Sequence, residues 1–481
     1  MNALIRVAAL SAAFGAVGCA VAPLERAADA TADRVMERTA VQPVWPPAEG
    51  GTHAAPELRE PVTLPSALAL AFTRNPDIRR QYARLGIAHA DLQEAARIAN
   101  PRLSLAWLDP SNGARDQTTR AISASFADLL LLPARRRLSA VEFQRVELAV
   151  AASLVSLAHE VETAWYSHVG ALQVATMRDA VAIAAESEAT LAQRFHEAGN
   201  IGRLELDLRQ TAAARARIEA LRARSGAAGS RTRLANLLGL QAGTVWQTAE
   251  RLPAPPETLL SRDELVQRAL SQRLDLAAVR EEVTMLEDAL GVTKSWRLLG
   301  LVEAGYKRER ETDGSRLRGL TLNLELPLFN QGQGAVARAE ARLLDAVARR
   351  EALSLAVENE VTAGIEQLEL AREIAGRYRD ALLPGAASVV ARRQEEVNFM
   401  LRSVFELLQA RRNEYDAWQA YLESVRNYWI AWTDLRAATG GSLPGDGEAR
   451  PLTIGVDEII APAAEAAEPE ESEPAHHGEL P

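Results

Sequence analysis

The chain states one pattern twice, with the second statement displaced by about 200 residues. Leu64-Pro-Ser-Ala-Leu-Ala-Leu-Ala-Phe72, followed by Asn75-Pro-Asp-Ile78, returns as Leu260-Ser-Arg-Asp-Glu-Leu-Val-Gln-Arg-Ala-Leu270, followed by Arg273-Leu-Asp-Leu276. Glu160-Val161 is answered by Glu360-Val361, and Leu234-Ala-Asn-Leu-Leu-Gly239 by Asp434-Leu-Arg-Ala-Ala-Thr-Gly440. So long a period excludes a short-repeat solenoid, whose units run to roughly 50 residues. It implies two similar halves, each a run of helix, strand pair and long helices.

The elements of a half follow from its punctuation and periodicity. An amphipathic helix is expected from about Ser66 to Ala99, interrupted near Asn75-Pro76 because proline disfavours helical geometry in the residue before it, and stopped by Asn100-Pro101. Leu103-Ser-Leu-Ala-Trp107 then alternates with period two, as do Ile122, Ala124 and Phe126 against Ser123, Ser125 and Ala127. Pro110-Ser-Asn-Gly113 between them is turn chemistry, which predicts a hairpin. In the second half Leu320, Leu322, Leu324 and Leu326 share one strand face, with Thr321, Asn323 and Glu325 on the other. The partner strand is roughly Leu299 to Lys307, joined through Glu311-Thr-Asp-Gly314.

Beyond each hairpin the prolines become rare. After Pro133 the next is Pro253, and after Pro327 the next are Pro384 and Pro444. Within these stretches apolar residues recur at helical spacing, as at Val146, Ala149, Val150, Leu154, Leu157 and Val161. A helix of about 60 residues is roughly 90 Å long, far beyond the globular mean of about 12 residues. Turns are expected at Gly199 to Gly202 and Asn398 to Arg402, making each stretch a long antiparallel helical hairpin. Pro- and Gly-rich runs at 243–262 and 440–460 read as small outer elements.

The net charge of −10 lies partly in Asp446 to Glu479, rich in Glu, Ala and Pro and read as disordered. The rest carries no basic stripe of the kind a nucleic-acid partner requires. Residues 1–18 bear one cation, Arg6, before the apolar run Val7 to Val17, which is too short to span a bilayer as a mature helix and reads as an export signal. The run ends at Cys19, the only cysteine, which cannot form an internal disulfide. At this junction it resembles a bacterial lipobox cysteine, the site of lipidation such as by palmitate, although position 16 is Ala where the lipobox usually has Leu. The domain organisation is therefore 1–18 signal peptide, 19–60 tether, 61–250 first repeat, 251–440 second repeat and 441–481 acidic tail.

A strand with leucine on one face and polar groups on the other fits a sheet between apolar medium and water, or a soluble sheet on a core. A bilayer forbids open sheet edges, and four strands cannot close a barrel with a lumen. Several chains must then share one barrel, continued by the long helices. From Val62 to Gly440 the chain resembles the TolC-type outer-membrane efflux family. The resemblance rests on Val62-Thr-Leu-Pro-Ser-Ala-Leu-Ala-Leu-Ala, Asn75-Pro-Asp-Ile78, Leu324-Glu-Leu-Pro-Leu-Phe-Asn-Gln-Gly-Gln-Gly334 and the repeat itself.

The resemblance implies a mostly α fold with a small β part, and a homotrimer whose shared twelve-stranded barrel is continued by an α-helical periplasmic tunnel. It implies a passive conduit in the Gram-negative outer membrane, with outer-membrane lipid, a periplasmic adaptor and an inner-membrane pump as partners. By position it implies Glu406 as an aperture carboxylate, Arg402 as a basic residue of the closing network and Asp207 as the first-half counterpart. Gln409 stands where a second carboxylate often lies, a departure from a double acidic ring. Three copies of Glu406 around an axis would attract cations and repel one another. The turns at Gly199, Ile201 and Gly202 and at Phe399, Met400 and Leu401 correspond to adaptor-docking tips, for which a hairpin staple is a comparable explanation.

No cofactor, metal site or catalytic residue is expected. The seven histidines form no ligand cluster, His476-His477 in the tail being the only adjacent pair, and no phosphate loop or nucleophile elbow occurs. The alternative is a periplasmic adaptor lipoprotein, which also carries an acylated cysteine and a helical hairpin. Adaptors have one hairpin and strand-rich domains, however, whereas this chain has two hairpins and few strands. A soluble coiled-coil scaffold would have no use for the alternating leucines.

Overall fold

The computed structural model of the protein describes residues 23–45, 58, 60–111, 115–256, 261–298, 302–444, 446 and 450–460. The export signal, Cys19 and the His476-His477 pair lie outside the described residues. The first half holds α2 (Leu64–Arg74), α3 (Pro76–Ala95), β1 (Arg102–Leu108), β2 (Gln117–Ser125), α4 (Phe126–Glu197) and α5 (Arg203–Leu237). The second repeats the series as α6 (Arg262–Gln272), α7 (Leu274–Trp296), β3 (Val302–Arg310), β4 (Arg316–Leu324), α8 (Gln333–Arg377), a π-turn (Tyr378–Leu382), α9 (Leu383–Asn398) and α10 (Val404–Ala438). Two further helices flank the repeats, α1 (Leu24–Thr39) before them and α11 (Val456–Ile460) after.

Both flanks differ from their sequence reading. The stretch 19–60 contains α1, whose stripe of Ala28, Thr31, Ala32, Val35 and Thr39 is buried. Small residues at helical spacing let α1 lie close against α4, while Trp45 donates from Nε1 to the Ala28 carbonyl at 2.9 Å. The start of the acidic tail is likewise ordered. Leu443 and Val456 are buried, and the Arg450 guanidinium lies 5.0 Å from the Trp429 ring centre. Residues 461–481 lie outside the described residues.

Each long hairpin returns to the same place and is locked there in the same way. Gly239 (φ +66°) and Gly440 (φ +95°) end α5 and α10 in the left-handed region. A Cβ at Gly239 would lie 2.7 Å from the Arg74 carbonyl oxygen, and one at Gly440 3.2 Å from the Gln272 carbonyl carbon, so only glycine fits either close approach. One residue on, the Asn75 side chain donates to the Leu237 carbonyl at 2.9 Å, and Arg273 donates to the Ala438 carbonyl at 3.4 Å. These bonds satisfy carbonyls that a helix end leaves unpaired.

The core lies where the two halves meet around the middle of α4 and α10. Tyr166 stacks on Trp429 at 5.6 Å between ring centres. Trp165 and Trp429 place their ring N–H groups on the carbonyls of Val62 and Pro253, at 2.9 and 2.6 Å. Glu162 and Arg436 form a buried ion pair across the halves.

The long helices differ in two respects from their expected form. α4 starts at Phe126, capped by the Ser125 hydroxyl, so Pro133 sits inside it, and the helix runs unbroken for 72 residues, about 108 Å. Its counterpart is interrupted by the π-turn just before Pro384, which has no N–H to continue the helical ladder.

His168, on α4, is 1% exposed, with Nδ1 2.9 Å from the Ser230 hydroxyl and its ring against Trp246. Burial, aided by the nearby Arg231 charge, pushes its pKa down to about 4. The unfolded chain binds this proton near the ordinary histidine pKa of about 6.5. Stability is therefore complete above that value and falls as pH drops from about 6.5 to about 4. The urea midpoint of the wild type should be lower at pH 5 than at pH 7, and His168→Gln should flatten that difference.

Candidate functional site

The ends of the molecule carry the features a core does not explain. At the tip of the first hairpin, Gly199 (φ +78°) terminates α4. Its amide donates to His196 and that of Asn200 to Phe195, a Schellman turn. At the second tip the amides of Met400 and Leu401 bond Val397 and Glu396 in the same way. There the left-handed residue is Met400 (φ +58°), a conformation that costs a non-glycine residue about 1–2 kcal/mol. Met400 is 93% exposed, and Phe399, Leu401 and Leu204 beside the turns are exposed as well.

Beneath the turns a small apolar cluster joins the hairpins. Leu206 and Phe405 are buried with Ala192, and Phe195 and Ile201 pack against them. The Phe195 and Phe405 rings meet at 5.8 Å, nearly edge to face, with the Arg209 guanidinium 4.9 Å from the Phe405 ring centre. Arg209 also donates to Glu188 at 2.9 Å, and Arg412 of α10 reaches the other oxygen of Glu188 at 3.4 Å. Glu188 is 4% exposed, so one buried carboxylate from α4 clamps α5 and α10 together.

The expected aperture residues fall into two groups. Glu406 accepts ion pairs from Arg393 at 3.3 Å and Arg402 at 3.6 Å, and both cations also reach Glu396. Gln409 accepts from Arg412 at 2.5 Å, which links it to the Glu188 clamp. Glu406 and Gln409 line one groove of about 450 Å³ with Arg209, Arg393 and Asn413. Asp207 stands apart, paired with Arg203 at 2.9 Å and bonded to none of the other three among the described residues. Gly199, Ile201 and Gly202 form one tip and Phe399, Met400 and Leu401 the other, with Ile201 turned into the apolar cluster rather than outward. Glu188, Arg209, Arg393 and Arg412 were not singled out from sequence. Arg393 and Glu406 stand at nearly equal distances on either side of Met400, as do Glu188 and Arg209 about Gly199, a signal available in the sequence.

The opposite end is the sheet, ordered β1-β2-β3-β4 and antiparallel throughout. Its register puts Leu103, Ile122, Tyr306 and Leu320 on one rung and Ala124, Ala304 and Leu322 on another, all on one face. Leu320 is 89% exposed and Leu322 63%. The other face carries polar groups that satisfy one another. Arg102 bonds Glu303 at 3.0 Å, and Glu309 accepts from Gln117 at 2.6 Å and Lys307 at 2.8 Å. Among the described residues no helix is long and apolar enough to cross a membrane.

Residues 265–441 match the family model described as outer membrane efflux protein. The fold is similar to the CmeC outer membrane channel of Campylobacter jejuni (TM-score 0.68, 16% identity, covering 79% of this chain and 85% of that one). It is also similar to the outer membrane protein VceC of Vibrio cholerae (TM-score 0.64, 17% identity, 79% and 96%). The open-state MtrE outer membrane channel of Neisseria gonorrhoeae matches with TM-score 0.65 and 14% identity, over 85% of this chain and 99% of that one. No curated protein sequence matches the chain. The family resemblance and the mostly α fold with a small β part, read from the sequence, are thus borne out.

Phe405→Ala removes the ring that closes the tip cluster. Opening of the tip should become easier by about 3 kcal/mol, seen as faster amide hydrogen exchange around the two turns with the aromatic core unchanged.

Proposed function

We propose that this chain, a carrier of the outer-membrane efflux fold, is the outer-membrane channel subunit of a tripartite efflux system and conducts solutes passively from periplasm to exterior. The observation that carries this reading is the sheet, which exposes leucines on one face, pairs its charges on the other and stands on helical hairpins about 100 Å long. In a bilayer the free edges of β1 and β4 must find partners. Three copies supply twelve strands, with the leucine face toward lipid and Glu303, Lys307 and Glu309 toward the lumen. The adaptor alternative is not supported, since the chain has two helical hairpins and a single four-stranded sheet.

The tips are then the periplasmic entrance. Glu406, held by Arg393 and Arg402, faces the groove at the end of the tunnel and forms an acidic ring in the trimer, with Gln409 beside it and Asp207 on the other hairpin. Exposed Phe399, Met400 and Leu401 at the second turn, with Gly199 and Gly202 shaping the first, offer an apolar contact for a periplasmic adaptor that joins the channel to an inner-membrane pump. Acylation of Cys19 adds a lipid anchor at the start of the mature chain.

Light scattering and planar-bilayer recording test the channel directly. A detergent-solubilised trimer with small, cation-favouring conductance is expected, and Glu406→Ala should raise conductance or abolish the selectivity. A non-conducting monomer would overturn the reading. Met400→Gly separates docking from stability, because it removes both an exposed side chain and a strained φ. Amide exchange at that tip should slow about fivefold, equivalent to about 1 kcal/mol, while adaptor binding weakens.

A further inference from the structure

The lipid-facing side of the sheet is not apolar along its whole length. The helices attach at the end marked by Arg102, Ser125, Val302 and Leu324, and on the rungs nearest them this face is Leu103, Ile122, Ala124, Val302, Ala304, Tyr306, Leu320, Leu322 and Leu324. Toward the hairpin turns the same face becomes basic. Arg120 lies opposite Arg308, which lies opposite Arg318, and on the next rung of that face Arg310 lies opposite Arg316. All five arginines are exposed. None makes an ion pair or hydrogen bond with a described residue.

Like charges directly opposite one another destabilise a sheet, and two of the nearby acids are engaged elsewhere. Glu309 points to the other face, bonded to Lys307 and Gln117, and Asp313 takes the Ser315 amide. The two arginine rungs lie about 7 Å apart along the strands, at the depth where the edge strand presents Leu105 and the 62% exposed Trp107. A tryptophan at that level marks a membrane interface. Guanidinium groups bind phosphate bidentately.

We propose that Arg120, Arg308, Arg310, Arg316 and Arg318 form a lipid-facing girdle that binds the phosphate groups of phosphorylated glycolipid in the outer leaflet. The inference rests on the barrel reading, since the face meets lipid only if the sheet crosses the membrane. In a trimer the five residues repeat three times around the barrel, just outside the hydrocarbon. Phosphate bound by the girdle would fix the depth of the barrel and supply counter-charge to the crowded cations.

The test uses the purified wild-type protein in neutral detergent and the triple variant R120Q/R308Q/R318Q. Each is titrated with lipopolysaccharide, with the same lipopolysaccharide after phosphatase treatment, and with inorganic phosphate. The wild type should bind the phosphorylated glycolipid about tenfold more tightly than the dephosphorylated one, and the triple variant should lose most of that ratio. R120K/R308K/R318K, which keeps the charge but not the guanidinium fork, should retain only part of it. Equal binding of the two glycolipids by the wild type would overturn the proposal, as would full displacement by an equal concentration of inorganic phosphate. Conductance is recorded in parallel. Wild-type conductance without phosphate discrimination defeats the girdle alone, whereas a wild type that neither trimerises nor conducts defeats the channel reading and the girdle with it.

Discussion

Everything in this molecule answers to two unpaired sheet edges. β1 and β4 each leave one row of backbone donors and acceptors without strand partners among the described residues. In water such edges are a liability, and in hydrocarbon they are prohibitive. Because the strand count is even and all neighbours are antiparallel, β4 of one copy can lie against β1 of the next in the same antiparallel sense as every pair within the chain. In the proposed trimer the sheet becomes a segment of a closed surface, which the long helices rising from both strand pairs continue into the aqueous phase.

Duplication makes such a surface nearly regular, and the shared parts of the halves are those that hold the regularity. Gly239 and Gly440 dock their helix ends on equivalent helices, α2 and α6, by the same close approach. The halves diverge where regularity would be unhelpful. Gly199 gives one tip a relaxed turn, whereas Met400 gives the other a strained turn with an exposed apolar side chain. α4 is continuous, whereas its counterpart widens into a π-turn ahead of Pro384.

The elements that obey a single period were legible in the sequence. Leu320, Leu322 and Leu324 announce β4, and the turns at Gly199–Gly202 and Asn398–Arg402 fall where expected. Strand limits were misplaced toward the helices, at Leu299 to Lys307 and Leu320 to Leu326, because Arg308, Arg310, Arg316 and Arg318 occupy positions where alternation calls for apolar residues. The same arginines that hide the ends of the strands mark the interface of the proposed barrel. α1 was hidden by its stripe of alanine and threonine, which packs by closeness rather than bulk. The Arg412 arm of the tip clamp was hidden because it lies far from Glu188 in sequence and reaches it only across the two hairpins.

The tip combines a firm joint with a loose one. Glu188 is buried between Arg209 and Arg412, and a buried carboxylate that loses its cations is left at a cost of several kcal/mol. Glu406, Arg393, Arg402 and Glu396 are all a third or more exposed, where an ion pair contributes about 0–1 kcal/mol. Partners in the second group exchange with little loss while the first stays shut. In the proposed channel, opening of a tip built this way would pivot on Glu188 and Phe405 and rearrange at Glu406. Glu406, which lines the groove, is therefore the residue whose contacts are easiest to trade for others.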